Sequence, residues 1–281
     1  MRPAEAARPS REGPEVPGPP PAWKQSKGIF ISPVPRGAGP DYPDDLRDWV
    51  ASIEPEHFWF RSRARLIAAT VRSRVSPGGW LELGCGTGYV LAEVARRYPG
   101  PCLGQDVSWR ALEITRTRTA APLYWCALDE VPARALAGVG LFDVLEHVPD
   151  DVAALKAAAG YLREGGIVLV TVPAHPWLWS QVDEASRHER RYTRRGLVGI
   201  MDSAGLRVEF CRPFYASLLP GLLLRRTIRL RGPHDARRMF LRPPPKLVNG
   251  ALEVITALEG GLCRMGLTFL GTSWLALGRK V

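Results

Sequence analysis

The segment WLELGCGTGYV, Trp80 to Val90, runs a short apolar strand into a glycine-rich turn and then into the start of a helix. Glycines at 84, 86 and 88 let the main chain pass close to a ligand without a Cβ clash, and the helix beyond them opens with unpaired N–H groups. A G-x-G-x-G turn alone is common to dinucleotide sites and ordinary tight turns, so its surroundings decide what it holds. Two carboxylates frame it. Glu82 lies in the strand two residues before the first glycine, and Asp106 ends the next strand candidate, CLGQD, where a carboxylate accepts both hydroxyls of a ribose.

Outward from this turn the chain alternates between helical and strand patterns. Upstream, Phe60, Ala64, Ile67, Ala68 and Val71 recur at helical spacing until Pro77-Gly78-Gly79 stops them. Downstream, a helix over Val90 to Tyr98 closes at Pro99-Gly100. Strand candidates follow at Leu123 to Ala127, Ala137 to Phe142, Ile167 to Val172, Leu206 to Cys211 and Ser273 to Gly278. Helices carrying Val152, Leu155 and Leu162, then Leu197, Ile200 and Met201, separate the later ones. This order specifies an α/β fold, a doubly wound, mostly parallel seven-stranded sheet covered on both faces, with its ligand beyond the carboxyl ends of the strands. Residues 45–212 form the expected core, 213–270 a helical insertion, and 271–281 the last strand. Residues 1–44 are rich in Pro without apolar periodicity and are expected to be disordered.

The formal charge of +10 admits nucleic acid, an anionic membrane or an acidic substrate. Basic residues are mostly Arg spread along the chain, and no motif of a nucleic-acid module accompanies them, which disfavours nucleic acid. The five cysteines form no C-x-x-C pair, so free thiols are expected rather than a disulfide framework or a cysteine zinc site. No signal peptide and no run of about 20 apolar residues is evident, and a cytoplasmic protein is expected. Within the insertion, Phe214 to Leu224 is apolar and is followed by Arg225, Arg226 and Arg229, while Leu247, Ala251, Leu252, Ile255 and Leu258 share a helical face. Such a segment suits either a cap over the acceptor pocket or peripheral contact with an anionic membrane or a lipid-linked substrate.

LELGCGTG, the GQD end of the second strand, FDVLEHVPDD (Phe142 to Asp151) and LREGGIVLVTVPA (Leu162 to Ala174) together resemble successive motifs of class I S-adenosylmethionine-dependent methyltransferases, over residues 57–211. The likeness is to the methyltransferase type 11 and ubiquinone-pathway O-methyltransferase group. It implies S-adenosylmethionine as cofactor, with Glu82 near the methionine amino group and Gly84, Cys85, Gly86, Thr87 and Gly88 lining methionine and ribose. Asp106 would hold the ribose hydroxyls, Val107 would pack on adenine and Asp143 would sit near the sulfonium. Ala127 stands where the family commonly has an adenine-binding Asp, leaving Asp129 or main-chain groups for that contact. His57, Phe58, Trp59 and Arg61 fall where the family places a helix that lids the cofactor. A nicotinamide dehydrogenase is the competing reading, but its G-x-G-x-x-G spacing would require glycine at position 89, which is Tyr89. A non-catalytic cofactor-binding relative is the other.

Methyl transfer from a sulfonium is a direct displacement, so the protein must align the acceptor, exclude water and take a proton where the acceptor is a hydroxyl. Candidate groups cluster in Asp143-x-x-Glu146-His147 and in HPWLWSQVDEASRHERRY, His175 to Tyr192. The first resembles the Glu-x-x-Glu-His of ubiquinone-pathway and small-RNA 2′-O-methyltransferases. That likeness implies Glu146, His147 and His188 as the catalytic centre, with Asp143, Glu146, His147 and His188 as ligands of a divalent metal. The alternative is that L-E-H uses no metal and that an imidazole takes the proton. Trp177 and Trp179 either line an apolar acceptor pocket or pack the sheet edge. The expected activity is O-methylation of a small or lipid-linked metabolite; N- or C-methylation, and RNA 2′-O-methylation, use the same fold.

Overall fold

The computed structural model describes residues 19–34, 44–227 and 242–281, with the side chains of 44–45 and 225–227 left aside. Short strands β1 (Lys24–Ser26) and β2 (Ile29–Ile31) come first, then helices α1 (Asp44–Ile53) and α2 (Phe58–Arg74). The alternating core runs β3 (Trp80–Leu83), α3 (Tyr89–Arg97), β4 (Cys102–Asp106), α4 (Trp109–Arg118), β5 (Leu123–Trp125) and β6 (Leu136–Phe142). It continues through α5 (Asp151–Tyr161), β7 (Leu162–Pro173), the short α6 (Gln181–Ala185), α7 (Arg194–Ser203) and β8 (Leu206–Phe214). Helices α8 (Leu219–Thr227) and α9 (Lys246–Met265) precede the closing strand β9 (Ser273–Lys280).

The strands form one sheet in the order β1-β2-β5-β4-β3-β6-β7-β9-β8. From β2 to β7 every neighbour is parallel, while β9 is antiparallel to both β7 and β8. The strand order reverses at β3, which lies between β4 and β6, and a crevice opens there at the carboxyl ends. Each face is covered. Ala64, Ile67, Ala68 and Val71 of α2 pack with Val90, Leu91 and Val94 of α3 on one side; Leu155 and Ala158 of α5 pack with Leu197 and Met201 of α7 on the other. Strands β3 and β6, and β7 from Gly166 on, are accordingly buried on both faces rather than alternating, as a parallel sheet covered on two sides requires.

Two expectations need correction. Among the described residues the sheet has nine strands rather than seven, because β1 and β2 lie within the stretch expected to be disordered. Ile29 is fully buried, β2 pairs with β5 through Ile29 and Leu123, and Phe30 and Trp23 pack on Tyr124 at ring separations of 5.2 and 5.7 Å. Three-residue strands carry no readable period, and their stability comes from a partner about ninety residues away, which local reading cannot reach. Residues 1–18 and 35–43 lie outside the described residues. Leu162, expected in a helix with Val152 and Leu155, opens β7 instead and pairs with Leu136, the helix ending at Tyr161.

Candidate active site

The glycine turn is shaped by its neighbours. Gly84, Gly86 and Gly88 all have positive φ, and a Cβ on Gly88 would lie 2.8 Å from Thr115 Oγ1, so glycine is required there. Thr115 hydroxyl donates to the Gly86 carbonyl at 2.8 Å, tying the turn to α4. The buried Asp106 carboxylate accepts from Gly86 N at 2.7 Å and from Ser108 N at 2.8 Å, which fixes it at the mouth of the turn. Gln105, also buried, accepts from Gly84 N at 3.0 Å. Thr87 hydroxyl reaches back to Glu54 at the end of α1, 2.7 and 2.8 Å from its two oxygens, and Glu54 pairs with Arg118 of α4. Burial, with the charges of Asp106 and Glu82 beside it, pushes the Cys85 thiol well above its usual range, so Cys85 lines the turn as a neutral group. Val107 stands exposed at the strand end, its carbonyl accepting from Trp125 Nε1 at 2.9 Å.

Behind the turn lies an arrangement of complementary charges. Glu82 is buried and its Oε2 has no hydrogen-bond partner; desolvation raises its pKa to about 8 against the opposing pull of Arg63. Arg63 of α2 is itself buried, with its Nε unpartnered, and stacks over Trp59 at 5.2 Å. Its terminal nitrogen lies 2.7 Å from Asp143 Oδ2 and donates to Thr171 Oγ1 at 3.3 Å. An orphaned carboxylate oxygen and an orphaned guanidinium N–H, both buried and in one another's field, are the complement of an α-amino acid's ammonium and carboxylate. With Asp106 offering carboxylate oxygens at the neighbouring strand end, the residues present fit a ligand that joins an amino acid to a ribose.

Past β6 the chain turns sharply at Asp143, whose φ of +57° is a strained backbone for a residue with a Cβ. The single 3-10 turn Leu145–His147 follows. Glu146 is fully buried with neither carboxylate oxygen hydrogen-bonded, and burial followed by the Asp143 charge drives its pKa well above the usual carboxylate range. Glu146, His147 and His188 each offer a donor atom within 4.8 Å of the other two, the imidazoles 4.8 Å apart edge to face. His147 keeps part of its surface open to solvent, yet desolvation by the surrounding wall, with His188 adding to it, lowers its pKa to about 4.

The 175–192 segment is clamped onto this turn. Glu189 N donates to the Glu146 carbonyl at 2.8 Å, Tyr192 hydroxyl to the Leu145 carbonyl at 3.0 Å, and Arg190 pairs with Asp151 at 3.1 Å. His188 is oriented by Asp183, Oδ1 to Nδ1 at 2.9 Å, and Arg191 holds the same carboxylate at 2.7 Å. Trp177 lies half exposed, 5.4 Å from the His175 ring.

Asp143 lies apart from the other three residues expected with it as metal ligands. Arg63 and Thr171 take its oxygens, and the three-residue cluster closes without it. The expected cofactor residues Glu82, Gly84 to Gly88, Asp106, Val107 and Asp143 do converge on the crevice at the carboxyl ends of β3, β4 and β6. Sequence reading missed Arg63, Asp183, Glu54 and Gln105. Arg63 had a signal: a charge between Phe60 and Ala64, within the apolar stripe of α2. The others sit outside any periodic pattern.

Fold and crevice together define a Rossmann-like protein whose cradle matches a nucleoside carrying an amino acid with its ammonium and carboxylate both free. A methyltransferase-domain family matches residues 52–209, and the chain belongs to that family of S-adenosylmethionine-dependent methyltransferases. A probable S-adenosylmethionine-dependent methyltransferase of Mycolicibacterium smegmatis is 27% identical over 57% of this chain and 63% of its own length. The ubiquinone biosynthesis O-methyltransferase of Cupriavidus pinatubonensis is 31% identical over 32% of this chain and 39% of its own. The chain thus spans less than two thirds of the curated relatives it resembles. Among solved structures, phosphoethanolamine N-methyltransferase 2 of Haemonchus contortus in complex with S-adenosyl-L-methionine superposes with a TM-score of 0.55 at 18% identity, over 85% of this chain and 57% of that one, a likeness of fold. S-adenosylmethionine is the cofactor that membership of this family implies for the cradle.

Proposed function

We propose that the chain methylates a hydroxyl of a small or lipid-linked metabolite, with Glu82 and Arg63 holding the methionine zwitterion, Asp106 the ribose, and the Glu146–His147–His188 cluster handling the acceptor's proton. The observation that carries this reading is the oriented imidazole. His188 is held by Asp183 through Nδ1 at 2.9 Å, which leaves its Nε2 free to accept a proton beside His147. His147, with its pKa lowered to about 4, is neutral at physiological pH and a weak base, suited to hydrogen-bonding the acceptor rather than taking its proton. A hydroxyl acceptor needs such a base; an amine does so less, because it attacks as its neutral form. Glu146, its pKa raised by burial, would orient the acceptor oxygen.

The two unpartnered oxygens of Glu146 favour a second reading, in which the same three side chains hold a divalent cation that supplies positive charge to the acceptor oxygen. A transfer assay with deuterated-methyl donor, followed by mass spectrometry over hydroxylated aromatics, polyprenyl-linked sugars, amines and RNA, tests both. Hydroxyl methylation that falls by about a hundredfold in His147→Ala and His188→Ala, with S-adenosylhomocysteine still bound, supports the centre. Abolition by chelator selects the cation reading, and turnover indifferent to chelator selects the base. Methylation confined to nitrogen or carbon, or variants at parental rate, overturns the O-methylation proposal.

A further inference from the structure

Helix α9 is mounted inside out. Leu247, Ala251, Val254, Leu258, Leu262 and Met265, spaced four, three, four, four and three residues apart, form a continuous apolar stripe. That stripe faces away from the protein: Leu247 is 90% exposed, Leu258 66% and Met265 63%, and the following turn adds Phe269 at 91%. The opposite side, which carries the helix's polar and small residues, packs inward. Asn249 accepts from Phe58 N at 3.0 Å and donates to the Glu56 carbonyl, Thr256 bonds Ser62 at 2.8 Å, and Gly260 and Cys263 are buried. Both acidic residues of α9 are turned the same way, Glu253 onto Arg61 and Arg65 and Glu259 onto Ser217. The outward side is therefore apolar and cationic, edged by the exposed Arg242, Lys246 and Arg264.

The charge of this region decides what covers the stripe. Residues 213–270 hold nine Lys and Arg against three Asp and Glu, a net charge of +6 within a chain whose formal net charge is +10. A second copy on this surface would bring like charge against like charge, whereas a surface that is both apolar and anionic would satisfy the stripe and its rim together. We propose that α9 and the turn after it form the docking surface of this protein for an anionic lipid bilayer, the helix lying in the headgroup plane with its stripe in the acyl boundary. At 20 residues α9 is not apolar enough to cross a membrane, and no helix among the described residues is. The topology gives the contact a use. β9 is antiparallel to both β7 and β8, so β8 runs with β7, and the insertion leaves Phe214 from the edge where the cofactor crevice opens.

Flotation of the full chain with vesicles of phosphatidylcholine alone, and of phosphatidylcholine mixed with phosphatidylglycerol, tests this. Partition onto the anionic vesicles is expected to be about tenfold stronger or more, and to fall with added salt. Leu247→Glu/Leu258→Glu, which alters only exposed side chains, should lose that partition while S-adenosylhomocysteine affinity stays parental. Equal partition onto both vesicles, or an unchanged double variant, overturns the proposal. So does a dimer in solution that the double variant splits, which would make the stripe a contact between copies.

Discussion

Asp183 Oδ1 lies 2.9 Å from His188 Nδ1 and accepts Arg191 Nε at 2.7 Å, so one buried carboxylate fixes both the ring plane and the tautomer of the imidazole facing Glu146 and His147. Asp183→Asn keeps the size of this group but permits the amide to donate to the ring, which reverses which nitrogen carries the proton. Turnover is expected to fall by about tenfold to a hundredfold with cofactor affinity intact, and the profile of turnover against pH should change. A parental profile would make Asp183 a purely structural clamp of the 175–192 segment.

Glu82 gives the site a pH dependence of known sign. Its folded pKa of about 8 is above the unfolded value of 4.5, so between these the folded state binds the extra proton, and the stability of the ligand-free protein falls as pH rises through that window. Glu82→Gln removes this contribution, and its melting temperature should decline less than the parent's from about pH 5 to 8. Bound methionine ammonium favours the carboxylate, so cofactor binding near neutral pH should release up to about one proton, read as a calorimetric enthalpy that changes with the ionisation heat of the buffer. In Glu82→Gln that buffer dependence should vanish.

Gly88 tests the shape of the turn. Alanine there places a Cβ against Thr115 at a φ of +74°, combining strain with overlap. Gly88→Ala should cost about 1–3 kcal/mol in denaturant unfolding and weaken S-adenosylhomocysteine binding. Adding Thr115→Ala makes room but breaks the bond to Gly86, so the double variant should recover only part of the loss.

Much of the cradle was legible because its residues sit where periodicity changes. A strand ending in Asp106 and a strand followed by three alternate glycines announce the crevice in the sequence itself. What escaped were partners brought in from elsewhere: Arg63 from an upstream helix, Glu54 from the one before it, Asp183 from an irregular segment. Their roles depend on distances across 80 residues of chain between Arg63 and Asp143, which no local spacing encodes. The same holds for β2, whose partner is β5. The direction of α9's apolar stripe was likewise hidden, since a helical pattern shows that one face is apolar and not which way it turns. Asp143 shows the same limit: the family likeness grouped it with Glu146, His147 and His188, and its pairing with Arg63 comes from a helix that the likeness did not bring in.

The central claim is that this crevice holds S-adenosylmethionine through its ribose and its amino acid, and calorimetric titration of Asp106→Ala against the parent tests it most directly. Removing the carboxylate leaves the ribose hydroxyls and the Gly86 and Ser108 N–H groups without their partner, a loss of about 1–3 kcal/mol, or roughly fivefold to more than a hundredfold in affinity for S-adenosylhomocysteine. Equal affinity in the two proteins, or no binding by the parent, would contradict the account.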